Sequence, residues 1–136
     1  MNAFRIKLYL TLLAAFLAVD AVWLGLVAPG FYRDQIGFLL ADDVNWLAAG
    51  SFYLLFILGI QVFVVGPGLE RGELGWTLRR AAFFGLVTYA TYDLTNLATV
   101  RDWPILVTVV DLVWGAVLCT AVSLVGFAAG RRMRSD

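Results

Sequence analysis

The chain has 136 residues, of which 62% are hydrophobic, 15% aromatic and 15% charged, with a mean hydropathy of +0.85. Soluble domains average roughly 45–50% apolar and roughly 25% charged residues, so composition excludes a soluble globular domain and, equally, a disordered chain. Ten basic residues balance ten acidic ones without a long basic run, which argues against nucleic acid as a partner. There is no His and one Cys, so the usual general base, an intrachain disulfide and a thiolate metal cluster are all missing. No cofactor is implied by any motif. The expected class is an all-α integral membrane protein, with the lipid bilayer as its first partner.

A spanning helix needs roughly 20 mostly apolar residues. Four stretches meet that length, at about 5–27, 44–65, 78–100 and 104–129, and predict one four-helix membrane bundle over residues 1–136. Pro29-Gly30, Gly66-Pro67-Gly68 and Pro104 punctuate the connections, as helix boundaries require. The runs lack the two-residue alternation of barrel strands.

Arg5 and Lys7 could also form the start of a signal peptide, with Val19-Asp20-Ala21 as its cleavage site. The apolar run continues through Val27, so a retained span is the expectation. The connection from Ala28 to Asp43 carries an apolar patch, Ile36-Gly37-Phe38-Leu39-Leu40. It reads either as a surface-lying or capping segment or as an ordinary amphipathic loop. Trp46, Trp76 and Trp103 fall at predicted helix ends, where an interfacial belt accounts for them.

Basic residues set the orientation. Arg5, Lys7, Arg71, Arg79, Arg80, Arg131, Arg132 and Arg134 fall on one side, against Arg33 and Arg101 on the other. Both termini are therefore expected on the cytoplasmic side of an inner membrane.

Three acids violate the hydropathy of the spans. Asp20 lies seven residues before Val27, Asp93 seven before Val100, and Asp111 seven after Pro104. With alternating helix directions, each falls about 10 Å below the outer end of its helix. A carboxylate at mid-span costs at least about 2.5 kcal/mol, and no basic residue lies in mid-span beside the three. They could be protonated, share protons, reach Arg33 or Arg101, or hold a cation. If a metal is bound, Asp20, Asp93 and Asp111 are its candidate ligands.

Tyr89, Tyr92, Asp93 and Asn96 follow the spacing of one helical stripe. Thr108, Asp111 and Gly115 share a face with Trp114 beside them, and Phe16, Asp20 and Trp23 share another. Ser51 and Tyr53 fall at a similar depth on the second helix. The candidate ligand-binding residues are Asp20, Trp23, Tyr53, Tyr89, Tyr92, Asp93, Asn96, Asp111 and Trp114; no catalytic residue is assigned. Carboxylates ringed by aromatic faces suit a cation, with Asn96 and Tyr92 as candidate orienters of the acids. Asp20-Ala21-Val22-Trp23 echoes Asp111-Leu112-Val113-Trp114; opposite helix directions would put Trp23 above the acids and Trp114 below. Ala81/Gly85, Gly115/Cys119 and Gly126/Gly130 have the spacing that permits close helix contact.

The run Thr91-Tyr92-Asp93-Leu94-Thr95-Asn96-Leu97-Ala98-Thr99, then Trp103-Pro104 and Asp111-Leu112-Val113-Trp114-Gly115, resembles the signature of a family of small bacterial four-helix predicted membrane proteins, the domain of unknown function numbered 2177. Asp20-Ala21-Val22-Trp23-Leu24-Gly25, Ile36-Gly37 and Phe52-Tyr53 also fit its pattern. The resemblance implies a four-span fold in a bacterial inner membrane and carries over no catalytic role. Three functional classes stay open: binding or transport of a proton, small cation or cationic molecule; a membrane enzyme acting on lipid or isoprenoid groups through paired Asp; and an accessory or assembly subunit in which the acids are interhelical hydrogen-bond glue. The small size separately suggests a homodimer or a place in a larger membrane complex.

Overall fold

The computed structural model describes residues 2–135, and every regular element among them is helical. In chain order these are α1 (Ala3–Leu26), α2 (Ala28–Ile36), a short turn of 3-10 helix (Gly37–Leu39), α3 (Trp46–Ile60), a π-helical turn (Gln61–Val65), α4 (Gly66–Arg71), α5 (Leu74–Thr99) and α6 (Ile105–Ser135). Caps fix several boundaries. The Asn2 side chain accepts from Arg5 N and that of Asn45 from Ala48 N, both at 3.0 Å, each satisfying an orphan donor of a first turn. Gly72 closes α4 at φ +71°, a left-handed conformation that glycine adopts without a Cβ clash.

Three helical rods are long and apolar enough to cross a membrane: Ala3–Leu26, Trp46–Arg71 and Ile105–Ser135. The fourth long helix, α5, has a comparable 26 residues but carries more polar side chains. Several of these are threonines whose hydroxyls donate to their own helix, Thr88 to Phe84 O, Thr91 to Val87 O and Thr99 to Thr95 O, each at 2.8 Å.

The second rod differs from expectation at its far end. Gly66-Pro67-Gly68 was expected to end the helix, yet the rod runs on to Arg71. Pro67 has no N–H to give to Phe63 O, four residues back. The helix widens to a π turn at Gln61–Val65, closed by Gly66 N donating to Gln61 O. Arg80 Nε, from α5, donates to Phe63 O at 2.9 Å. The break is thus absorbed inside the rod rather than terminating it.

Helix α6 is the spine, packed against α5 and α1. Close approach is set by glycine. A Cβ on Gly85 would stand 2.0 Å from Gly115 O, and one on Gly115 would stand 2.8 Å from Gly85 O, so the two backbones touch. Gly126 leaves room for Leu12 and Gly130 for Leu69. All three small-residue pairs seen in the sequence lie at such contacts, with Ala81 and Cys119 fully buried beside them. The main core gathers Leu8, Leu12 and Phe16 with Phe56, Ile57, Ile60, Val64, Leu118 and Val122.

A smaller core closes the end where α2 lies. Ile36, Trp103 and Val107 are buried there with Phe31, Tyr32, Leu97 and Val100 packed against them. The connection after α1 therefore caps the bundle through Phe31, Tyr32 and Ile36, while Phe38, Leu39 and Leu40 stay exposed. Trp103 belongs to this cap, with Nε1 donating to Thr108 Oγ1 at 3.1 Å, rather than to an exposed belt; Trp46 is exposed as expected. At the opposite end Arg134 donates to Leu69 O at 2.9 Å and lies over the Phe4 ring, bringing the chain ends beside the α4–α5 turn.

Candidate functional site

The observed helix ends restate the depth relation more tightly. Asp20 is six residues before Leu26, Asp93 six before Thr99, and Asp111 six after Ile105, or about 9 Å below each end. All three are buried, Asp93 completely. All three line one cavity of about 600 Å³ together with Trp23, Tyr89, Tyr92 and Trp114, and with Leu24, Tyr32, Phe52, Phe56 and Thr88.

The acids divide into one and two. Asp20 Oδ2 accepts from the Tyr53 hydroxyl at 2.9 Å, so Tyr53 serves the site by holding Asp20 rather than by lining the cavity. Asp93 on α5 and Asp111 on α6 are neighbours on the wall of the same cavity. Asp111 accepts from the Tyr32 hydroxyl. Neither oxygen of Asp93 receives a hydrogen bond from any donor among the described residues. An ionised carboxylate is acceptor-only, so Asp93 and Asp111 can bond each other when one of them carries a proton.

The expected orienters are therefore corrected. Asn96 lies beside Tyr92, its i−4 neighbour and the closer partner on a helix surface, and leaves Asp93 without a donor. Tyr92 itself is 58% exposed at the rim of the cavity. Ser51 is exposed. The residue that does hold an acid of the pair is Tyr32. Burial, then the hydrogen bond to Asp111, raises its pKa above the ordinary tyrosine value, so it stays a neutral donor at physiological pH. Its signal in the sequence was weak, because Tyr32 falls in a connection without helical periodicity to aim it.

Arg33 and Arg101 do not pair with the acids: the one ion pair among the described residues is Arg71–Glu73, at 3.4 Å. Nor do the three acids converge on one coordination point. Among the described residues no three His, Cys, Asp or Glu side chains are grouped as metal ligands would be.

Aromatic rings form most of the wall. Trp23 and Trp114 stack with centroids 4.3 Å apart and planes inclined by 10°, rather than standing on opposite sides of the acids. Helical side chains lean toward the N-terminus; on antiparallel helices that lean carries the two indoles toward each other. Phe56 meets Tyr89 at 6.3 Å and Phe84 at 5.6 Å, making the floor. Trp114 Nε1 is buried without a hydrogen-bond partner among the described residues.

A family described as predicted membrane proteins, DUF2177, matches over residues 5–128. The chain belongs to that family. The DUF2177 match covers α1 through most of α6, including every residue of the cavity, and supports the bilayer as the medium around the exposed apolar faces. No curated protein and no solved structure matches the chain.

Proposed function

We propose that this protein binds, and passes across or into the membrane, a small organic cation held between Asp20 and the Asp93–Asp111 pair. The observation that carries this reading is Asp93: a fully buried carboxyl, without a donor, on the wall of a cavity large enough for a small molecule. Hydrogen-bond glue accounts for Asp20 with Tyr53 and Asp111 with Tyr32, but leaves Asp93 with no donor among the described residues other than a protonated Asp111. A cation supplies the missing charge, and the stacked indoles and tyrosines offer it π faces.

The same reading has four spans. Helix α5 crosses with the other three, its threonine hydroxyls satisfied on its own backbone, which lowers the cost of polar groups in hydrocarbon. Eight of the ten basic residues then fall on the side of the chain ends, which is the cytoplasmic side by the positive-inside rule, and the cap faces outward from an inner membrane.

The test is titration of the protein in lipid nanodiscs with benzyltrimethylammonium, read out by tryptophan fluorescence from the Trp23–Trp114 stack. Asp93→Asn should weaken binding by about tenfold or more while thermal unfolding shows an intact fold. Unchanged binding in a folded Asn variant would overturn the proposal.

A further inference from the structure

We infer that the ligand is an amphiphile: a cationic head between the acids and a hydrocarbon tail lying in a groove between α3 and α5, reached sideways from the bilayer. This deepens the cation-binding reading and rests on it. Below the acid cavity a second space of about 480 Å³ runs along the π-turn end of the α3 rod. Leu55, Leu58, Gly59 and Val62 line it on one side and Phe84 on the other, and it shares Phe52 and Phe56 with the acid cavity. The two spaces therefore adjoin at Phe52 and Phe56, whose rings form the wall between them. Every residue lining the groove is apolar, whereas every carboxyl lies at the other end of the path.

Access is decided by the way each side is closed. Over the end of the bundle α2 lies as a cap, fastened by Tyr32 on Asp111 and by the buried Ile36–Trp103–Val107 cluster. The α5–α6 side is closed glycine to backbone at Gly85 and Gly115. Between α3 and α5 contact is instead made by rings, Phe56 with Phe84 and Tyr89, and Leu55 and Val62 are 71% and 52% exposed along the groove. The groove from Phe52 to Phe63 extends about 16 Å at helical rise, enough for an alkyl chain laid along it. Charge complementarity fixes the other end. The acids have no basic partner among the described residues, so the head of the amphiphile is an amine or a quaternary ammonium.

The test uses hexadecyltrimethylammonium carrying a diazirine in its chain, with benzyltrimethylammonium as the head alone, both on the full chain in nanodiscs. Photolabelling should concentrate on Leu55, Leu58 and Val62 and fall away with excess unlabelled amphiphile. Val62→Trp, a change at an exposed position that fills the groove, should cut that labelling by about tenfold and leave benzyltrimethylammonium binding unchanged. Labelling spread evenly over other exposed positions such as Leu10 and Val113, or unaffected by Val62→Trp, would overturn the amphiphile while the cation site stands. Failure of benzyltrimethylammonium itself to bind would overturn both.

Discussion

The indoles of Trp23 and Trp114 lie face to face, 4.3 Å apart and 10° from parallel, and join α1 to α6 at the depth of the carboxyls. Removing one ring should cost both packing and the stack. Trp23→Ala is expected to destabilise the fold by about 3 kcal/mol, measured by unfolding in a mild detergent titrated with SDS, and to abolish any exciton signal of the pair in circular dichroism.

Asp93→Asn should not destabilise the protein. The amide can donate to Asp111 where the ionised carboxylate could not, so the unfolding midpoint is expected to hold or rise while cation binding is lost. A fall of more than about 1 kcal/mol would mean that Asp93 is needed by the fold.

Tyr32→Phe removes the bond that fastens α2 to Asp111. A hydrogen bond to a charged group is worth about 1.5–3 kcal/mol, and here it holds a short helix. Amide exchange across residues 28–36 should accelerate in the variant, with α5 and α6 unaffected. Equal protection in both proteins would show that the Ile36–Trp103–Val107 cluster suffices.

Gly85→Ala sets a methyl group against Gly115 O and cannot be relieved by a rotamer change. Overpacking of this kind costs about 1–3 kcal/mol. Gly75, with open space at its Cβ position, is the control: Gly75→Ala should be neutral or slightly stabilising through helix propensity.

Pro67→Ala restores an N–H that can reach Phe63 O. Phe63 O then has a donor within its own helix, and Arg80 should become dispensable. Arg80→Gln alone exposes the carbonyl and is expected to cost about 0.5–1.5 kcal/mol; in the Pro67→Ala background the same change should cost less. A double-mutant cycle with no coupling would separate the proline from the arginine.

Much of this was legible in the chain. Hydropathy located the four long helices, and because helical rise is fixed, the spacing of Asp20, Asp93 and Asp111 from their helix ends gave a shared depth that the cavity reproduces. Of the nine candidate residues, the two that do not line the cavity, Tyr53 and Asn96, show what spacing leaves out. Tyr53 is at the right depth but is turned onto Asp20, and Asn96 is at the right face but lies beside Tyr92. Tyr32 and Phe56 were invisible for opposite reasons: one sits in an aperiodic connection, the other in a helix so uniformly apolar that no face stands out.

The π turn at Gln61–Val65 also sets an angle. Taking in one extra residue rotates the later half of the rod by about 100° relative to the earlier half. Phe52 and Phe56 can thus present to the α5 side while Leu69, further along the same rod, enters the notch at Gly130 on α6. An insertion of one residue between Phe56 and Gln61, with no second π turn to take it up, would leave length and composition almost untouched, yet it would put the two halves of the rod out of phase, like a key whose second set of teeth has been cut on the wrong side.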